Sequence, residues 1–237
     1  MRGRRAYFSD SWLCCSSPKQ DQYGLDQGGP DDLPNWVLKK FSDIVAAALT
    51  EVLNQSFRES KVPRIWKVAD VPPVPKNASI EDFNKELRPI SLTNTLSKVA
   101  EGFVIDRELK TLMLDCMNPN QFGFIPDSCT AFALISRLHH WFEATDETSA
   151  RVRAALLDYK KSFDLVDHNL LTAKLYNLGV RLTVVNWVAD FLRHRYQRVE
   201  LNFDCFSDFK PVPAGIPKGT PDWPTALFGY DQWPHNE

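Results

Sequence analysis

The stretch from residue 152 to residue 179 constrains the fold more than any other part of the chain. Residues 152–157 form an apolar run of strand length that ends on Asp158. A short connection follows, with Phe163 five residues beyond the carboxylate. Residues 168–178 then set Leu170, Leu171, Lys174, Leu175 and Leu178 at helical spacing. Asp167 stands where a helix N-cap belongs, and Gly179 where the helix should stop. A strand that feeds a helix through a tight turn calls for a mixed fold class.

A carboxylate at a strand tip has two readings. It is a turn or cap residue, or it holds a divalent metal over a cleft, with the ring of Phe163 as one wall. Asp164 can serve the same turn. The second reading is the one that nucleotidyl transfer needs. It needs a further metal anchor as well, and no Asp-Asp pair follows Asp158 in the sequence.

The bulk numbers bound the rest. With 237 residues, 43% of them hydrophobic, the chain has enough apolar material for a globular core. The net charge of −2 gives no global signature of nucleic-acid binding, but the charge is uneven. Lys and Arg outnumber Asp and Glu over residues 151–200, and the balance reverses over 201–237. Arg193, His194, Arg195 and Arg198 cluster after the second helix that follows Asp158. Such a cluster is either a solvated helix end or a phosphate-contact patch. The five cysteines make no Cys-x-x-Cys pair, which argues against a zinc knuckle and a disulfide framework and for a reducing compartment. No apolar run approaches the ~18–20 residues of a membrane span, and no secretory h-region is present. The expectation is an intracellular chain, nuclear and cytoplasmic placements both open, with no membrane partner and an undetermined oligomeric state.

Helical periodicity runs from about residue 35 to 53, over 96–114, over 130–142 and over 182–192. Residues 62–76 carry Pro63, Pro72, Pro73 and Pro75, so they read as extended edge strands or loop. Residues 196–201 and 206–212 read as a hairpin about 202–205, and 214–220 as a Gly/Pro loop. The first 27 residues read as a poorly ordered leader, and 221–237 have no period. Helix-rich with a few strands, the order predicts an α+β class.

An ordered series of motifs then resembles the reverse transcriptase of non-LTR retrotransposons, the jockey-like elements in particular. Gly29-Pro30-Asp31-Asp32-Leu33-Pro34 opens it. Val62-Pro63-Arg64-Ile65-Trp66-Lys67-Val68-Ala69 leads into Val74-Pro75-Lys76, and Leu87-Arg88-Pro89-Ile90-Ser91-Leu92-Thr93 follows with Ser97-Lys98. Asn120-Gln121-Phe122-Gly123-Phe124, the Asp158 stretch and Gly215-Ile216-Pro217-Lys218-Gly219-Thr220 complete the series. Six motifs in order are far more specific than any one of them.

The resemblance implies a partial right-hand polymerase fold, with helix-rich fingers over residues 28–150 and an incomplete antiparallel palm over 151–220. Asp158 resembles the first metal-binding aspartate of the palm, which in the family takes part in holding Mg2+. Phe163 resembles the ring that bars a ribose 2′-hydroxyl, and the resemblance assigns Tyr159 to nucleotide binding as well. Lys76 and Arg88 resemble fingers residues that neutralise the incoming triphosphate, a point charge and a planar fork that both suit phosphate oxygens. A solvated loop position is the other reading of each. Lys218 and Gly219 belong to the loop under the nascent base pair. Gln121 and Phe122 resemble a template contact, with helix packing the alternative for Phe122, and Arg193, Arg195 and Arg198 supply the basic cluster. The implied partners are an RNA template, a DNA primer and deoxynucleoside triphosphates.

Departures from the pattern bear on activity. The family carries Gln where Lys218 stands, and Leu-Gly-Pro where Pro221-Asp222-Trp223-Pro224 follow. The aromatic-Ala-Asp-Asp tip has no counterpart, nor has the thumb. The expectation is a truncated domain, inactive by itself in RNA-templated DNA synthesis. The alternatives are a nucleic-acid-binding remnant without chemistry and a fragment with no activity.

Overall fold

A computed structural model describes residues 29–31, 33–76, 79, 81–82, 86–123, 125, 127–146, 151–158, 161–202 and 205–219. The leader over 1–27, the tail over 221–237 and Tyr159 lie outside these residues.

The helices fall where the apolar periodicity puts them. Helix α1 spans Asn35–Lys40, and α2 spans Ser42–Glu59, ending at Ser60 in left-handed backbone whose N–H returns to the Phe57 and Ser56 carbonyls. Helix α3, Thr95–Val104, starts at Asn94, whose side chain accepts from the Leu96 N–H. A π-turn, Ile105–Leu109, joins it to α4, Lys110–Asp115. The buried positions Ala100, Val104, Ile105, Leu109 and Met113 run through the three segments. Helix α5 spans Thr130–Asp146, α6 His168–Asn177 and α7 Leu182–Leu192. The expected cap of α6 forms: Asp167 accepts from the Asn169 and Leu170 N–H groups at 2.7 and 3.0 Å.

Helix α7 is the centre of the core, since it is apolar on almost every side. Trp187, Val188, Phe191 and Leu192 are fully buried, and they pack with Leu53 of α2, Leu109 of the π-turn and Leu171 and Leu175 of α6. The Trp187 ring stacks on Phe191 at 5.5 Å, and its Nε1 donates to Ser56 Oγ at 2.9 Å. Asp190, on the same helix, accepts from the Val62 N–H and from Lys67 Nζ, both at 2.8 Å. It thereby fixes a 3-10 turn, Arg64–Lys67, at the entrance to the sheet.

Strand β1 is Val68–Val71, β2 Pro73–Pro75, β3 Leu87–Pro89, β4 Leu92–Thr93, β5 Arg195–Asn202, β6 Cys205–Phe206 and β7 Lys210–Val212. The main sheet has the order β4-β1-β5-β6, with β7 also on β5, and β2 and β3 make a separate antiparallel ribbon. Strands β5 and β6 form the hairpin expected around 202–205. The α+β class holds.

Two expectations about strands are corrected. Strand β1 is not an edge: it pairs with β4 on one side and β5 on the other. Its four residues contain no proline, so every N–H is available to a ladder, and Pro72 ends it. Within 151–220 the described strands pair antiparallel, β5 with β6 and with β7, and the parallel pairing of β5 with β1 makes the main sheet as a whole mixed. Residues 152–157 do not form a strand. Residues 151–158 are irregular and exposed, with Leu156 at 98% and Leu157 at 86% of full exposure. An apolar run becomes a strand only by pairing, and the described strands pair among themselves.

Candidate functional site

The loop at 214–219 is the hinge of the site, because it is held on two sides. On one side lies the turn that follows Asp158. Gly215 N–H donates to Val166 O and Ile216 N–H to Phe163 O, both at 3.0 Å. His168 Nε2 donates to Gly215 O at 2.6 Å, and Lys218 Nζ pairs with the Asp164 carboxylate at 2.7 Å. On the other side, the Ser91 N–H donates to Lys218 O at 2.5 Å. The two loop glycines make this approach possible. A Cβ on Gly215 would lie 2.8 Å from the Phe163 and Asp164 carbonyl oxygens, and one on Gly219 2.9 Å from Ile90 Cγ2. Both have positive φ, +82° and +117°.

Ser91 leads back to the ribbon. In β2 and β3, Val74 pairs with Arg88 and Pro75 with Leu87, and the Lys76 N–H donates to Glu86 O at 2.8 Å. The register sets Arg88 in the middle pair of the ribbon and Lys76 just past its end, both exposed. Arg88 is three residues from Ser91, so at most about 11 Å of chain separates it from the loop contact. The structure thus gathers Lys76, Arg88, Lys218, Gly219 and Phe163 along one connected set of segments. Phe163 is half-buried and packs against the core cluster, which also gives it a structural role. Asp158 stands five residues upstream on the exposed segment.

The remaining site expectations fare differently. Gln121 and Phe122 are half-buried in a turn where Gln121 Nε2 donates to Gly123 O at 3.0 Å. Arg193 is exposed, with Nη2 on Asn169 Oδ1 at 3.3 Å. The expectation of one continuous basic patch is corrected at Arg195 and Arg198. Arg195 is only 4% exposed, lies 4.5 Å over the Phe191 ring and donates to Phe191 O. Burial pushes its pKa down to about 10, against the pull of Glu101. Arg198 makes a two-pronged ion pair with the buried Asp70, Nε to Oδ1 at 2.6 Å, and sits 3.8 Å from the Phe206 ring and 4.9 Å from that of Phe209. Alternation along β5 turns Arg195 inward, while pairing with β1 sets Arg198 opposite Asp70.

A buried polar cluster lies at the start of α3. Asp31 accepts from the Thr95 N–H at 3.1 Å, and Ser97 Oγ donates to Glu101 at 2.9 Å. Burial raises the Asp31 carboxyl above its ordinary range, the Thr95 bond opposing. Burial likewise lowers the Lys98 ammonium, with Glu101 and then Asp31 opposing. The Ser97-Lys98 motif therefore sits inside this network.

The described residues do not fit the expected Mg2+ shell. Magnesium takes oxygen ligands in near-octahedral array. Asp158 brings one carboxylate on an irregular segment, and the nearest further one in sequence, Asp164, is neutralised by Lys218. Among the described residues no group of three His, Cys, Asp or Glu converges. Two partners that sequence reading missed are Asp164, as the counter-ion of Lys218, and His168. The first left one trace: a charged residue stands at 218 where the family has an amide.

The family described as reverse transcriptase (RNA-dependent DNA polymerase) matches residues 74–225, more than half of the chain. The chain belongs to that family, and it is jockey-like. It is 28% identical over 211 residues to the RNA-directed DNA polymerase from mobile element jockey of Drosophila melanogaster, covering 87% of this chain and 23% of that protein. It is 26% identical over 194 residues to the probable RNA-directed DNA polymerase from transposon BS of the same species, covering 81% and 21%. An uncharacterized 149 kDa protein of transposon TX1 from Xenopus laevis is 26% identical over 153 residues, covering 64% and 12%. The chain spans less than a quarter of the length of these relatives. No described helix is long and apolar enough to cross a membrane.

Proposed function

We infer that this chain supplies the fingers and the first part of a palm, residues 28–150 and 151–220, to RNA-templated DNA synthesis, and that these 237 residues alone bind primer–template without extending it. The carrying observation is the loop at 214–219, hydrogen-bonded both to the turn after Asp158 and to the segment after Arg88. In this reading Lys76 and Arg88 face triphosphate oxygens as exposed cations on one ribbon. Gly219 lets the backbone approach a nascent base pair, and the half-buried Phe163 presents an edge to the sugar. Gln121, Phe122 and Arg193 contact the template strand. Lys218 is held by Asp164 and serves the loop rather than the nucleotide. The family's chemistry uses divalent metal to activate the primer terminus, and a single exposed carboxylate does not preorganise that centre.

Two measurements test the reading. Fluorescence anisotropy with an RNA template annealed to a DNA primer should show binding that weakens with salt, with a log–log slope of about −1 for the one cation, Arg193, that the reading sets on the template strand. Primer extension with magnesium or manganese should be absent. Template-dependent incorporation that vanishes in Asp158→Ala would overturn the catalytic half of the reading. Absence of salt-dependent binding would overturn the other half and leave a fragment without activity.

A further inference from the structure

Helix α5 differs from every other described helix in that it buries none of its side chains. It is nonetheless strongly two-faced. Ala131, Leu134, Ile135, Leu138, Trp141 and Phe142 recur at spacings of three, four and seven, which places them on one half of the helix. Ser136, Arg137, His140 and Glu143 take the opposite half. The apolar half faces solvent: Leu134 is 64%, Ile135 62%, Leu138 44%, Trp141 39% and Phe142 63% exposed, and Phe132 at its border 53%.

The five on that half, Phe132 left aside, present on the order of 500 Å2 of apolar surface, taking roughly 150–250 Å2 as the full area of each aromatic and somewhat less for each aliphatic. A standard protein interface takes ~800 Å2 from each partner, and a contiguous apolar patch of this size is among the largest that monomers carry. The pattern is also self-complementary. Ala131, Leu134, Leu138 and Trp141 follow a heptad seam for nearly two repeats. Antiparallel pairing of the seam with itself sets Leu134 against Leu138 of the partner subunit, and the wide ring of Trp141 over the small Ala131 of the partner subunit. Large against small is the alternation that fills a helix–helix interface.

We propose that the apolar half of α5 is the interface of a two-fold symmetric dimer of this chain, closed by antiparallel pairing of the two α5 helices. The pairing is isologous, so it closes at two copies and does not propagate. It is independent of the catalytic reading, since the seam includes none of the residues assigned to nucleotide or template.

Sedimentation equilibrium of the full chain tests it. The expected mass is that of a dimer. Leu138→Glu places a charge at the seam and should weaken association at least tenfold, with far-ultraviolet circular dichroism unchanged because the side chain supports no core. Ala131→Trp should weaken it as well, by crowding Trp141, whereas Ser136→Glu on the polar half should leave the dimer intact. A monomeric mass at roughly 50 μM, well above the dissociation constant expected of an interface this size, would overturn the proposal. So would a dimer indifferent to Leu138→Glu and Ala131→Trp, or a mass that climbs without limit.

Discussion

Gly215→Ala is the sharpest probe of the loop that joins the two sides of the site. The new Cβ would stand 2.8 Å from two backbone carbonyl oxygens, those of Phe163 and Asp164, and neither can swing away as a side-chain tip could. The residue also sits at φ +82°, where a non-glycine residue costs roughly 1–2 kcal/mol before any clash. Relief of the clash moves the loop outward and lengthens the Gly215–Val166, Ile216–Phe163 and His168–Gly215 hydrogen bonds. At about 1 kcal/mol net for each bond, the total loss comes to roughly 3–5 kcal/mol. Gly123→Ala is the internal control. A Cβ there meets only the Gln121 side-chain amide, at 3.5 Å, so the change should be within about 1 kcal/mol of neutral and is stabilising if the unfolded-chain entropy dominates. Urea denaturation of both variants gives the difference directly, and hydrogen exchange at Gly215 and Ile216 locates it. Equal stability of the two variants would refute the close approach of the 214–219 loop to the turn at 163–166.

Asp190→Ala should cost about 3–5 kcal/mol in the same assay, because it leaves the Lys67 ammonium, 8% exposed at its side chain, buried without its carboxylate; Lys67→Met in the same chain should recover part of the loss. Asp167 is held below the usual carboxylate range by the Leu170 and Asn169 N–H groups. Its cap is therefore fully effective above the unfolded carboxylate pKa of about 4 and is lost as pH falls through the lower folded value. Acid titration should show protection of the Asn169 and Leu170 amides fading in that window, and Asp167→Ala should abolish the dependence. Lys218→Gln should change stability by less than about 1 kcal/mol, since both partners of the Asp164 pair are partly exposed; a larger loss in thermal denaturation would show that the pair, and not the backbone bonds, holds the loop.

The helices were legible because their signals are local. Asp167 marks the start of α6 by side-chain bonds to N–H groups two and three residues on, a signal that needs no knowledge of the fold. Helix α7 was legible from Val184, Val185, Val188 and Leu192. The role of Arg195 and Arg198 was not, because a basic cluster on paper acquires its meaning from what lies across the sheet. Asp70, 128 residues away, claims the guanidinium of Arg198, and the Phe191 ring lies beneath that of Arg195. The Lys218–Asp164 pair, 54 residues apart, was hidden in the same way.

The most suggestive apolar run, residues 152–157, ends without regular structure for a physical reason. A helix satisfies its own backbone; a strand borrows satisfaction from a neighbour. Residues 152–157 have the composition of a buried strand and no place in any described ladder. Ordering the eight residues 151–158 would cost roughly 1–2 kcal/mol each in backbone entropy, so on the order of 10 kcal/mol in all. One carboxylate–metal contact does not offset that, whereas a paired strand that buries Val152, Leu156 and Leu157 could, at about 1.5–3 kcal/mol for each side chain together with its ladder bonds. A metal at Asp158 would thus need strand pairing first. Hydrogen exchange should find the amides of 152–158 unprotected in the isolated chain and magnesium without effect on them. Protection that appears on adding magnesium alone would invert the order argued here.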